Sequence, residues 1–451
     1  MRVTERELVV PGPGDGALLA QLAASVGERL GDGEAPVRFA VPSSDPAAWS
    51  CEIGVVDGLG AERRASLPSP FATRHRAGED SRAFTAVLVV PTGIGAEIGG
   101  HAGDAMPVAA LLATACDTLV THPNVLNASD VMELPANALY VEGSVLSRLL
   151  AGTVGLRPVR ANRVLPVIDR HEITKYEDAA INSVSTARVS FGLDAPEVVA
   201  LDPPIRLRAT YASSGRAVGV VDDLERLLDA LDARRSTFDA VALSTQIEVP
   251  FSYHTEYYAA RGDMVNPWGG VEAILTHTVS SLYDVPTAHA PMIESKAVEA
   301  LSLGVVDPRM AAEAISMAFF VCVLKGLQRS PRLVRLDAGT PPPDDVISAE
   351  QVSVLVIPDG AIGLPTLAAL EQGIPVIAVR ENTNLLHNDL TRLPWRRGQL
   401  HVVDNYWEAV GVMAAMRSGI DPAIVRRPIA DTREVIVTGR ARSPEPAMVG
   451  T

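Results

Sequence analysis

Short continuous apolar runs recur along this chain, alternating with stretches of helical spacing, and two of them run into glycine- and proline-containing turns. TAVLVV at 85–90, RVLPVID at 163–169, EVVALD at 197–202, FDAVALSTQIEVP at 238–250 and SVLVIP from 353 are the clearest. Runs without alternation are what strands buried on both faces require, so these segments predict a parallel sheet. The intervening 105–117, 178–191 and 221–234 carry apolar residues at helical intervals and predict crossover helices. The expected class is therefore α/β, a doubly wound, mostly parallel sheet. VVPTGIG at 89–95 and VIPDGAIG at 356–363 occupy the same place in two strand–turn–helix–strand units, which points to related halves at 83–240 and 241–428.

Outside that core the pattern weakens. A helix at 17–30 and strands at 37–41 and 51–56 form an expected small α/β addition over 1–82, with its Arg- and Pro-rich end, 62–82, read as an exposed linker. DPRMAAEAISMAFFVCVLKGL starts on an Asp307 cap, and its apolar positions nearly encircle the axis, as in one buried or interface helix. From 429 to 451 periodicity disappears, predicting a mobile tail.

Composition narrows the function. With 54 acidic against 39 basic residues the formal charge is −15, and no basic stripe offsets it, which argues against a nucleic-acid partner. The longest apolar run, 317–324, is too short for a bilayer, and the charged N-terminus does not read as a signal sequence, so no membrane partner is expected. Cys51, Cys116 and Cys322 form no CxxC pair, which suits a reducing cytoplasm. Only Lys175, Lys296 and Lys325 carry ε-amines, so an anion is expected to be met by arginine forks, backbone amides and helix N-termini.

VPTGIGAEIGGHAGDA, at 90–105, is the most specific constellation. Gly93, Gly95, Gly99, Gly100 and Gly103 allow several N–H groups to converge on a small anion, while Glu97, His101 and Asp104 among them can move protons. The next strand ends in THPNVLNASD, and in an open parallel sheet its carboxyl end shares the crevice with that loop. His122 is thus the expected general acid or base, with Asn124 and Asn127 orienting the substrate. Asn266, Trp268, Gly269, Gly270 and Glu272 in NPWGGVEA, His289 in AHAPM, Arg216, and the strand-end residues Asp359, Glu381 and Asn382 complete the expected binding set. His277 reads as a core or capping histidine. Neither HxxxH nor HExxH occurs, and no standard dinucleotide fingerprint, so no metal or redox cofactor is expected.

These motifs, together with YVEGS, DPR-x-AAE and GIPVIAVREN in this order from about Phe84 to Asn388, resemble an uncharacterised bacterial family, domain of unknown function 3326. The resemblance brings no known mechanism. It implies a biosynthetic enzyme of bacterial specialised metabolism. The residues suit a lyase- or cyclase-like reaction: acid/base-assisted elimination from a small phosphate-, sulfate- or carboxylate-bearing substrate, or intramolecular displacement such as aziridine-type ring closure. The alternative is a noncatalytic ligand-binding or partner subunit, and either reading admits a homo-oligomer or a heteromeric protein partner.

Overall fold

The computed structural model describes residues 1–14, 16–126, 133–316, 319–429 and 431–436. The fold is α/β, and two all-parallel sheets form its centre. The larger has the order Leu400–Val403, Val376–Val379, Val352–Pro358, Thr85–Leu88, Thr118–Thr121, Ala138–Tyr140. The smaller has the order Thr287–Pro291, Ala240–Thr245, Val164–Asp169, Val199–Leu201. Every residue of Thr85–Leu88, Val164–Asp169, Ala240–Thr245 and Val352–Pro358 is buried, the double-faced burial their unbroken apolar runs require.

The two echoing turns lie side by side, because Thr85–Leu88 pairs directly with Val352–Pro358. From that seam one unit grows outward through Thr118–Thr121 and the other through Val376–Val379. The expected halves, 83–240 and 241–428, need correction: the larger sheet joins 85–140 to 352–403, and the smaller is built from 164–291 between them. Strand pairing follows burial on both faces, and nothing in a local pattern says which buried strand is its neighbour.

The N-terminal strands are no separate addition. Arg2–Pro11, Ala35–Ser44 and Ala48–Asp57 form a seven-stranded sheet with Arg206–Tyr211, Ala217–Asp222, Ile247–Glu248 and Ile362–Gly363. The helix Gly269–Tyr283 lies on this sheet so closely that a Cβ on Gly219 would stand 2.4 Å from Cβ of Val271. The 62–82 stretch is also more than a linker. Ala61–Ser66 is helical, and Arg76 donates to the carbonyls of Gln372, Ala349, Val352 and Gly373. In place of one helix from Asp307, a turn at Pro308–Met310 leads into Ala311–Ile315, and Phe319–Gln328 follows at 96° to it. Among the described residues no single helix is long and apolar enough to cross a membrane. Of the expected tail, 429 and 431–436 are exposed and 437–451 lie outside the described residues.

Candidate functional site

A cavity of about 450 Å³ lies where the carboxyl ends of the two parallel sheets face each other. Thr92 and Gly93 follow Thr85–Leu88, His122 follows Thr118–Thr121, and Glu142 follows Ala138–Tyr140. Ser244 and His289 come from the smaller sheet, and the helix Gly269–Tyr283 contributes Gly269, Glu272, Ala273, Thr276 and His277. These five recur at three- and four-residue steps and so share one face of the helix.

Glu142 caps the helix Gly143–Leu150, its carboxylate accepting from the backbone N–H of Ser144 at 2.9 Å and from the Ser144 hydroxyl. The other oxygen, Oε1, accepts from Nδ1 of His277 at 2.5 Å and from Thr276 Oγ1 at 3.2 Å. Burial alone would push this carboxyl up, but His277, Ser144 and the Arg148 charge more than reverse it and hold it below its ordinary value. An ionised Glu142 thus fixes the His277 tautomer with Nδ1 protonated. Among the described residues no hydrogen-bond partner meets His277 Nε2, which is left to the cavity.

His122 is arranged in the opposite sense. Its Nε2 accepts the backbone N–H of Val90 at 3.1 Å, which requires the ring proton on Nδ1. Burial pushes the ring down to about 4, an effect that Glu142 opposes and His277 reinforces. His122 is therefore a neutral Nδ1–H donor at neutral pH, not the expected base, because a ring already accepting a backbone N–H has no lone pair left to take a proton. His122 and His277 flank Gly143: a Cβ there would stand 3.0 Å from Cε1 of His277 and 3.9 Å from Nδ1 of His122. NMR of the ring nitrogens is expected to show His122 as the neutral Nδ1–H tautomer from about pH 8 down to about pH 5. A midpoint near the ordinary histidine value would remove this assignment.

Further carboxylates line the cavity. Glu272 accepts from His289 Nδ1 at 2.9 Å, and the other nitrogen of His289 is 2.8 Å from Thr245 Oγ1. Glu294 lies 3.4 Å from His254 Nε2. His101 Nδ1 meets the Tyr257 hydroxyl at 2.6 Å, and burial, then the Arg309 charge, pushes His101 down to about 4. Glu313 Oε1 accepts from the backbone N–H of Ala102 at 2.5 Å and from Asn266 Nδ2 at 3.1 Å.

Burial raises Glu313 from 4.5 to about 7. A folded-state value above the unfolded one means that its stability contribution is complete below pH 4.5 and lost as pH rises through about 7. That shift corresponds to about 3 kcal/mol. Glu313→Gln, which cannot ionise, is accordingly expected to gain stability relative to the parent between about pH 5 and about pH 8. Urea unfolding at the two pH values measures the difference, and a constant difference would refute the buried-carboxyl assignment.

The structure places the sequence-predicted residues unevenly. Gly93, Gly100, His101, His122, Asn124, Asn266, Trp268, Gly269, Glu272 and His289 line the cavity. Asn124 does so as a brace, its Nδ2 donating to the carbonyls of Val90 and Gly99 at 2.8 Å each. Asn266 Oδ1 accepts the N–H groups of Trp268 and Gly269 and so caps the helix start. Asn127 lies outside the described residues.

Part of the expected anion cradle is taken up by the protein itself. Four loop amides are engaged internally: Glu97 N–H by the carbonyl of Thr383, Ile98 by Asn382 Oδ1, Gly99 by Asp104 Oδ1 and Ala102 by Glu313. Close packing explains the glycines instead. Gly93 has φ +80° and a Cβ there would stand 2.7 Å from the carbonyl oxygen of Ala217, while one on Gly270 would stand 2.2 Å from the same atom. Gly95, Gly99 and Gly103 also take positive φ, and neither they nor Gly270 belong to the cavity lining.

Two expected catalytic carboxylates lie elsewhere. Glu97 is half-exposed and paired with Arg309 at 2.8 Å. Asp104, raised to about 7 by burial, ties the loop together through Gly99. Arg216 is buried against Glu52, so it is no substrate fork. Asp359 accepts its neighbour Gly360 N–H, and Glu381 accepts that of Tyr406. Asn382 bridges Ile98 and the Tyr406 hydroxyl, bracing the glycine loop from the far unit.

Sequence reasoning missed Glu142, Glu313, His254 and Glu294 and misread His277. Glu142 carried a usable signal: it stands two residues past the strand Ala138–Tyr140, which pairs with the strand that His122 follows. Among the described residues no three His, Cys, Asp or Glu side chains form a group able to hold a metal ion.

A family model described as protein of unknown function (DUF3326) matches residues 85–426. An uncharacterized lipoprotein of Synechococcus sp. is 35% identical over 347 residues, which is 76% of this chain and 93% of that relative. No solved structure matches the chain. The matched region contains every residue named above as lining the cavity, and the chain belongs to the DUF3326 family.

Proposed function

We propose that this protein is an enzyme of bacterial biosynthesis that moves a proton on a small substrate held between the two parallel sheets. The observation that carries the reading is the arrangement around Gly143: among the described residues, a histidine with no partner on Nε2 and a carboxylate on its other nitrogen stands beside a second, neutral histidine whose Nδ1–H has no acceptor. His277 takes the proton through Nε2, and Glu142 stabilises the imidazolium that forms. His122 donates to the substrate atom on which negative charge develops, and a neutral imidazole serves there because the ring need not lose its proton.

Such a pair suits elimination or intramolecular displacement. The base removes a proton, the freed electron pair makes the new bond, and the leaving group departs with its own pair while accepting from His122. Aziridine-type ring closure is one displacement of this kind. His277→Ala and Glu142→Gln proteins with native circular dichroism are expected to lose turnover of the physiological substrate. Wild-type turnover in either variant would end this reading.

A further inference from the structure

We infer that the substrate of this cavity carries a protonated amine, seated on Glu272 with Glu294 beside the ring of Trp268; this rests on the same cavity being the reaction site. The lining holds Glu142, Glu272, Glu294, Glu299 and Glu313 against a single lysine, and among its described residues there is no arginine. Lys175, two-thirds exposed, is already paired with Glu299, and Glu142 with His277. Glu313 is held largely neutral by burial, so what remains facing the interior is the carboxylates of Glu272 and Glu294, balanced only by histidines; a free anion meets a repelling field there and an ammonium an attracting one.

Glu272 is placed for that contact. One oxygen accepts from His289, the side chain stays 23% exposed, and its second oxygen has no hydrogen-bond partner among the described residues. An aromatic corner stands beside it. Trp268 packs against His254 with ring centroids 5.4 Å apart and against Tyr257 at 5.5 Å, and Trp268 and Tyr258 both line the cavity. Indole and phenol faces next to a carboxylate favour a cation over a neutral group.

A buried polar group independently points to a ligand. His122, only 4% exposed, aims an Nδ1–H without an acceptor among the described residues at the cavity. Leaving it unmet is costly, so a ligand that offers an acceptor there satisfies what the protein leaves open. Glu272 precedes Thr276, a donor to Glu142, by one helical turn, so the amine contact and the Glu142–His277 pair lie along the same face of that helix.

Calorimetric titration of the full chain with γ-aminobutyramide, against its neutral counterpart γ-hydroxybutyramide and against inorganic sulfate, tests this. The amine is expected to bind at least about tenfold more tightly than either, a preference that Glu272→Gln and, separately, Glu294→Gln reduce by about tenfold. Equal binding of the amine and the hydroxyl compound, preferential binding of sulfate, no detectable amine binding at millimolar concentration, or full amine affinity in both folded variants would each overturn the inference. His277→Ala, which leaves Glu142 unpaired beside the cavity, should bind the amine at least as tightly as the parent does. Binding is thereby read apart from turnover: if His277→Ala still turns substrate over, the catalytic reading fails while the amine site stands.

Discussion

Substitution of His277 by alanine is expected to lower turnover by about 10²–10⁴-fold, the range in which a positioned general base contributes. Glu142→Gln should fall in the same range, because an amide neither stabilises the imidazolium nor holds Nδ1 protonated, although it can keep the Ser144 cap. The two residues act as a unit, so the double variant should lose little more than the worse single one. Full additivity of the two losses, or a loss confined to KM with kcat intact, would assign proton transfer to another group.

Removal of Arg216 is expected to be the most destabilising single change in the seven-stranded sheet, at about 3–5 kcal/mol. Arg216 is 1% exposed and its partner Glu52 3% exposed, with the Ser214 hydroxyl also donating to Glu52. Arg216→Ala leaves the Glu52 carboxylate buried with its cation gone. Replacing both partners by apolar residues of similar volume, Arg216→Met with Glu52→Leu, should restore most of the loss, since the desolvation penalty disappears with the charges. Denaturant unfolding of the single and double variants measures both effects. A loss below about 1 kcal/mol in the single variant would mean that the pair behaves like a surface bridge.

Arg38 shows how this sheet bears on function. It pairs with Glu5 at 2.9 Å and donates to the carbonyl of Thr92 at 2.9 Å and to that of Gly270 at 3.4 Å. One guanidinium from the N-terminal strands therefore holds both the glycine-rich loop and the start of the cavity-lining helix.

The fold class was legible because burial on both faces leaves a local trace: after the opening Thr85 and Ser353, TAVLVV and SVLVIP carry no polar side chain. His122 was legible as a site residue for a similar reason, since a polar side chain directly after a parallel strand must lie at the carboxyl edge. Its role was not, because the Val90 N–H that occupies its Nε2 comes from a neighbouring strand end. The glycine-rich loop misled for the same physical reason. Glycines announce close backbone approach, and whether they approach a ligand or Ala217 depends on what packs against them.

The amino-acid order by itself determined the parallel strands, the crossover helices, the buried Phe319–Gln328 segment and the strand end that carries His122. Only the tertiary structure decided the neighbours: which units share a sheet, that Glu142 meets His277 135 positions away, and that Arg216 meets Glu52 across 164. Periodicity records how much of a residue is buried, a property each segment carries alone. Hydrogen bonds and ion pairs belong to two segments at once, so the chemistry of this cavity exists only after the two sheets and the helix between them have come together.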